Sequence, residues 1–441
     1  TGQKAGKTGE EDALNWEKFP YSGLIKVSLN ISLFPHSNNE QGYPECIILY
    51  LGVKTNMGIL GVDNRVKNGE CEPELLKKAR LDSIMNWGAM IGKEVGIVTT
   101  TRLTHATPGA VYSNSPSRDW ESDIDIPADQ KKGCLDIATQ LLNNVESGNL
   151  ALAFGGGLQK FRTVKNGGVR NDIDLVDKMK SAGIEVLKNT GELQRWTFGK
   201  KTVGLFSPSH MDFETKRDKS ESGQPSLSEM TRQAINRLSK NNNGFVLMVE
   251  GGRIDHAHHE NLGKMALEET VELDKAVHTA LDLVNIKETL VLVTADHSHA
   301  VTMSGYPKRG NNILGTVYEP DKTISYANGP GFKDHWTPTG WRDVSKLDYN
   351  GDDYRQPAMF FAPYETHGGE DVSVFARGPQ AHLVTGLHEQ SFLGLLMGYA
   401  ACMNKKEFGC PVQDYSSSSA SLSFRTTFSL PLVMIILKYV V

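Results

Sequence analysis

Gly244-Phe-Val-Leu-Met-Val249-Glu250-Gly-Gly-Arg-Ile-Asp255-His256-Ala-His258-His259 decides how this chain folds. Its five consecutive apolar residues read as a strand buried on both faces, because a half-exposed strand alternates apolar with polar. Acids and histidines follow at once, with no linker between. The same order recurs downstream, where Thr289-Leu-Val-Leu-Val-Thr294 leads into Ala-Asp296-His297-Ser-His299. A third group, Thr366-His367-Gly-Gly-Glu370-Asp371, stands beside the run Val372-Ser-Val-Phe375. Aspartate and histidine gathered at strand ends form the donor set of a zinc site. Zinc with an open coordination position supports hydrolysis.

Moving outward, Val95-Gly-Ile-Val-Thr-Thr-Thr101 and Ala151-Leu-Ala-Phe154 read as further buried strands. Helical spacing marks residues 73–92, through Leu81, Ile84, Met85 and Ala89, and also residues 133–147 and 225–240. The span 261–284 carries Ala266, Thr270, Leu273, Val277 and Leu281 on one face, which reads as core. Helices alternate with short apolar strands throughout. That predicts an α/β fold with a doubly wound, mostly parallel sheet sandwiched by helices. In such sheets ligands bind beyond the carboxyl ends of the strands, where Glu250 and Asp296 fall. Residues 305–365, rich in Gly, Pro, Asn and Tyr with little periodicity, read as an irregular insertion subdomain rimming that edge.

The 441 residues, 39% hydrophobic and 22% charged, have ordinary globular composition. Net charge is −5 and the basic residues are dispersed, so nothing points to nucleic acid. None of the five cysteines forms C-x-x-C, which argues against a thiolate zinc site. Small and polar residues from Ser416 give way to the fourteen-residue apolar stretch Phe428–Val441. That is the order of a GPI-attachment signal, and the stretch is short of the roughly 20 residues that span a bilayer. The chain therefore divides into a domain over 1–411 and a spacer with an attachment signal over 412–441, with cleavage expected near Ser416–Ala420. The opening Thr1-Gly-Gln-Lys4 carries neither Met nor an apolar leader, so the chain reads as a fragment.

Four motifs together resemble the metazoan alkaline phosphatases: Thr-Arg-Leu-Thr-His105-Ala-Thr107-Pro, the Glu250–His259 stretch, Thr-Ala-Asp296-His297-Ser-His299 and Glu-Thr-His367-Gly-Gly. The likeness runs from about Gly2 to Cys410, except near residues 27–51. It implies hydrolysis of phosphate monoesters through a phosphoserine, with two zinc ions and one magnesium. Asp255, His259 and His367 would hold one zinc and Asp296 with His297 the other. Thr107 and Glu250 would hold magnesium through hard oxygens. Spacing alone agrees on one point: Asp255 and His259, four apart, share a helix face. Two such metals about 3.5–4 Å apart can clamp the attacking and leaving oxygens of an in-line displacement.

The resemblance also places Arg118 on the phosphate, where a planar guanidinium grips two oxygens. His105 and His299 would support the ligands from behind or stand near the leaving-group zinc, and His256 and His258 either support the ligands or are structural. Disulfides Cys71–Cys134 and Cys402–Cys410 are implied, with Cys46 left over. Relatives are extracellular, GPI-linked, glycosylated homodimers. The one Asn-x-Ser/Thr sequon is Asn30-Ile-Ser32. For the family's calcium site only Glu192 and the Phe206 backbone match; Ser207 and Gln224 stand where acids are expected.

Two departures matter. The family's nucleophile lies in Pro-Asp-Ser-Ala; here the matching stretch is Pro35-His36-Ser37-Asn38. Counted from Lys26, Ser37 takes the nucleophile position; counted back from Gly52 it is five residues too far. The family's first strand, ending in Gly-Asp-Gly with an aspartate that bridges zinc and magnesium, has no match. The alternative is therefore a catalytically impaired, GPI-anchored metal-binding surface protein of the same fold. A nucleotide pyrophosphatase/phosphodiesterase, with its threonine nucleophile and no Arg118 context, fits less well.

Overall fold

The computed structural model describes residues 6–27, 52–131, 133–316, 323–344 and 347–403, together with the backbone of Val433–Lys438. Ser37, Cys46, Cys410 and the Asn30 sequon lie outside these residues. The described strands are β1 Tyr21–Lys26, β2 Glu94–Arg102, β3 Leu152–Gly156, β4 Glu185–Leu187, β5 Thr202–Leu205, β6 Phe245–Glu250, β7 Thr289–Thr294, β8 Ser298–His299 and β9 Val301–Met303. They continue with β10 Ile324–Gly329, β11 Trp336–Thr337, β12 Gly340–Trp341, β13 Ala358–Phe361, β14 His367–Gly368, β15 Val372–Arg377, β16 Gly386–Glu389 and β17 Val433–Lys438.

Ten of them form one sheet in the order β16-β1-β15-β7-β17-β6-β2-β3-β5-β4. From β7 to β4 every pairing is parallel, and β15 runs antiparallel to both β7 and β1. Strands β3, β6 and β7 are buried along their whole length, as their unbroken apolar runs require. Alternate residues serve opposite faces. Val246, Met248, Leu290 and Leu292 join the core with Ile84, Leu141 and Leu396. Phe245, Leu247, Val249, Val291 and Val293 join the other core with Met230, Leu238, Leu273 and Val277. Helices Ile84–Met90, Ile137–Ser147 and Ser391–Ala400 thus cover one face, and Leu227–Leu238 and Gly263–Leu283 cover the other.

The span 73–92 is two helices, Pro73–Ala79 and Ile84–Met90, rather than one. Ser83 starts the second: its side chain accepts from the Met85 and Asn86 backbone N–H groups, while the Asn86 side chain accepts from its own. That capping box fixes a new helix start against the apolar periodicity.

The 305–365 region is more ordered than its composition predicts. Strands β9, β10 and β13 make a three-stranded sheet, and β11 pairs with β12. Leu314, Ile324, Tyr326 and Ala358 form its small core. Cys71 and Cys134 are bridged, as implied. Cys402 is also in a disulfide, and its expected partner Cys410 lies outside the described residues.

Strand β17 falls in the stretch read as an attachment signal. It lies between β6 and β7 and pairs in parallel with both, with Lys438 level with Glu250 and Thr294. Among the described residues no helix is long and apolar enough to cross a membrane.

Candidate active site

The strand β6 ends at Glu250, and two glycines turn the chain into the helix Arg253–His259. A Cβ on Gly252 would stand 2.3 Å from Thr101 Cγ2 and 3.0 Å from the Glu250 carboxyl carbon, so only glycine lets the helix start this close to β2. One turn then brings Asp255 Oδ1 to 3.3 Å from His259 Nε2.

That single oxygen gathers the site. His299 Nε2 lies 3.0 Å from it, His367 Nε2 3.4 Å and His297 Nε2 3.8 Å. Strand geometry explains the meeting of residues so distant in sequence: β14 pairs antiparallel with β8 and sets His367 opposite His299. The His297 and His367 rings stack with centroids 3.5 Å apart, and Asp296 Oδ2 is 3.5 Å from His297 Nε2. All five residues expected to hold zinc therefore converge.

Hydrogen bonds orient the rings. His259 Nδ1 donates to the Glu365 carbonyl at 2.6 Å, and its Nε2 lies 3.2 Å from His367 Nε2. An outer partner fixing the tautomer is how ligating imidazoles are held. His299 bonds Glu365 Oε2 at 2.5 Å through Nδ1 and Asp255 through Nε2. Burial works against charging His299, but the two carboxylates outweigh it and hold its pKa at about 9. With both nitrogens engaged, His299 orients Asp255. Burial keeps His297 neutral, down to about 3, and lowers His367 as well. Burial would raise Asp255, yet the facing imidazoles, His259 foremost, hold it well below the usual carboxylate range.

His297 and His367, kept uncharged by burial, face the Asp255 carboxylate beside His259 and His299, a gathering of nitrogen and oxygen atoms that a bound cation would draw together. Ligand atoms of Asp255, His297, His299 and His367 lie within 4.8 Å of one another. This nitrogen-and-oxygen donor set fits zinc.

Glu250 is buried, level with Thr99 across β2 and β6, and accepts from Thr99 Oγ1 at 2.6 Å and Thr101 Oγ1 at 3.3 Å. Thr107 is buried in the helix Ala106–Tyr112, which begins just past β2 at the same sheet edge. Arg118 is half-buried; its N–H donates to Gly58 O at 2.7 Å and its charge acts on His105. His258 is buried and hydrogen-bonded to Tyr326 Oη at 2.9 Å. The groups left of a calcium site are spent locally. Glu192 accepts from Lys188 N at 2.7 Å, and Ser207 Oγ donates to His210 O at 2.8 Å.

Glu365, fully buried, went unnoticed in the sequence although it organises His259 and His299. Its place two residues before His367, on the same face of an extended segment, was the available signal.

The sequence pattern that defines the family "Alkaline phosphatase" matches residues 1–403. The tissue-nonspecific alkaline phosphatase of Felis catus is 40% identical over 95% of this chain and 82% of its own length. The membrane-bound alkaline phosphatase of Bombyx mori is 38% identical over 93% of this chain and 77% of its own length. Among solved structures, the alkaline phosphatase of Thermus thermophilus superposes with TM-score 0.62 at 23% identity, over 90% of this chain and 86% of that one. A variant of the Antarctic bacterial TAB5 enzyme with Mg bound in its M3 site gives TM-score 0.60 at 21% identity, over 90% and 92%. The four motifs, the sheet and the gathered imidazoles meet in one conclusion: the chain belongs to the alkaline phosphatase family.

Proposed function

We propose that this chain hydrolyses phosphate monoesters at a centre of two zinc ions and one magnesium. The observation that carries the reading is the convergence of four histidine nitrogens on Asp255 Oδ1. Asp255, His259 and His367 would hold one zinc, Asp296 and His297 the second, and Thr107 with Glu250 the magnesium. When bound, these ions supply Lewis-acid charge for the attacking and leaving oxygens and lower the pKa of a hydroxyl or water.

The chain's own groups do the rest. Arg118 grips two phosphoryl oxygens and sets the phosphorus in line. Ser37 Oγ, outside the described residues, forms the new P–O bond as the ester oxygen leaves. Water then breaks that bond and releases phosphate. His299 and Glu365 keep Asp255 oriented throughout, and Glu365 fixes the His259 tautomer. Calcium forms no part of the reading. We read the protein as an extracellular homodimer, and the apolar tail with the membrane-bound relative supports a GPI anchor near Ser416–Ala420; that attachment would excise β17, so the anchored form and the sheet that contains β17 are two different forms of the chain.

Hydrolysis of para-nitrophenyl phosphate by the full chain, with zinc and magnesium supplied, tests this. Turnover is expected, lost in Asp255→Ala and in Ser37→Ala. Full activity in Asp255→Ala sinks the metal centre. Full activity in Ser37→Ala alone moves the nucleophile elsewhere and keeps the centre. Metal binding without turnover in the parent chain establishes the impaired alternative. Release from cells by a phosphatidylinositol-specific phospholipase tests the anchor.

A further inference from the structure

The three-stranded sheet of the 305–365 region has a covered face and an open one. Along β10, Ile324 and Tyr326 turn inward to the small core with Leu314 and Ala358. Successive strand residues face opposite ways, so Ser325 and Ala327 look outward. Thr302 of β9 stands level with Ser325, and their hydroxyls bond at 2.7 Å. These side chains are small, and they floor a cavity of about 450 Å³. That volume lies within the roughly 300–1,000 Å³ of small-molecule sites.

The walls are large and apolar. Trp341, Met359 and Phe360 line the cavity, yet they are 41%, 60% and 69% exposed. Apolar side chains left together in water around a hollow mark a place where a ligand gains by burying them. Trp341 is also held in place before anything binds. It pairs with Trp336 across β11 and β12 with ring centroids 5.4 Å apart, and Phe332 meets it edge to face at 5.9 Å. The Arg342 N–H donates to His335 O at 2.8 Å, and buried Val344 anchors the far end of the segment. A wall already ordered loses little entropy on binding.

Arg342 sets the charge. Among the described residues that line the cavity, it alone is charged. A guanidinium beside a tryptophan face suits a ligand that is both flat and negative. The ring stacks on the indole, and the anionic group takes the N–H donors of the fork. A cation of the same shape is repelled, and an uncharged ring leaves the guanidinium with nothing to gain.

We propose that this cavity binds a small aromatic anion, with its ring against Trp341, its apolar edge on Met359 and Phe360, and its negative group on Arg342. The small outward residues Ser325 and Ala327 leave the room for it. None of the lining residues is among the proposed metal or phosphate-binding groups, so the site stands or falls separately from the phosphatase reading.

Fluorescence titration of the full chain tests the site with two probes. Anilinonaphthalene sulfonate is an aromatic anion that brightens in apolar surroundings, and phenylnaphthylamine carries the same rings without the charge. Saturable binding of one sulfonate per chain is expected, tighter than that of the uncharged probe. Arg342→Gln should weaken the sulfonate roughly fivefold, the upper range for an exposed ion pair, and leave the uncharged probe unmoved. Ala327→Trp, which fills the floor, should abolish binding of both. Thr302→Trp serves if that variant does not fold. A parent chain that shows no saturable binding overturns the proposal, as does sulfonate binding unchanged in folded Arg342→Gln or surviving a filled floor.

Discussion

Asp255 Oδ1 receives four imidazole nitrogens at 3.0–3.8 Å, so its loss does more than remove one ligand. His299 would keep only Glu365, and His259 and His367 would face each other with nothing negative between them. Asp255→Ala is expected to cut kcat/KM for para-nitrophenyl phosphate at least roughly 100-fold, with the far-ultraviolet circular dichroism unchanged. The Asp255–His259 pair was legible because four residues make one helical turn. Glu365 was not, because its two partners arrive through strand pairing and a carbonyl contact that no local spacing encodes.

Glu269 is a second residue with a measurable consequence. It is buried on the helix Gly263–Leu283, and burial pushes its pKa up to about 7 despite the bond it accepts from Glu214 N at 2.6 Å. A raised carboxyl favours folding fully at pH below its unfolded value, near 4.5, and that contribution is lost as pH rises through about 7. Urea unfolding at pH 5 and pH 8 is expected to show the parent losing stability relative to Glu269→Gln, by up to about 3 kcal/mol. Parallel curves for the two proteins would refute it.

At the scale of elements, caps override periodicity. The helix Leu227–Leu238 opens on a reciprocal pair: Glu229 N–H donates to Ser226 Oγ at 3.1 Å, and Ser226 N–H donates to Glu229 Oε2 at 2.8 Å. Ser226→Ala should cost about 1 kcal/mol in chemical denaturation. The same device at Ser83 split a span that apolar spacing alone reads as continuous. The Cys71–Cys134 bridge closes a loop of 63 residues, worth about 4 kcal/mol on chain-entropy grounds. Its double serine variant is expected to melt correspondingly lower. Strands of two to four residues in the 305–365 region were beyond sequence reading, since so few positions display no period.

At the scale of the molecule, the alternation of apolar runs with amphipathic helices was enough to predict the sheet and the edge that carries the site. The place of Val433–Lys438 was not legible. Six apolar-rich residues near a polar spacer satisfy an attachment signal and a buried strand equally, and no pattern separates the two. Strand β17 supplies the pairing on the facing edges of β6 and β7. Removing residues 428–441 is therefore expected to expose amides of Val246–Glu250 and Leu290–Thr294 to hydrogen exchange, with a lower melting temperature. Unchanged protection of those amides would show that another segment fills the gap.

That arrangement also has a timetable. Roughly 140 residues are added after β7 before the closing strand exists, on the order of ten seconds at ordinary rates of translation. In that interval the β6 and β7 edges that β17 pairs with would keep their backbone N–H and C=O groups unpaired, open to whatever extended polypeptide reaches them first. A chain built this way depends on being shielded while it is made, and its yield should rise with chaperone supply more steeply than its final stability would suggest.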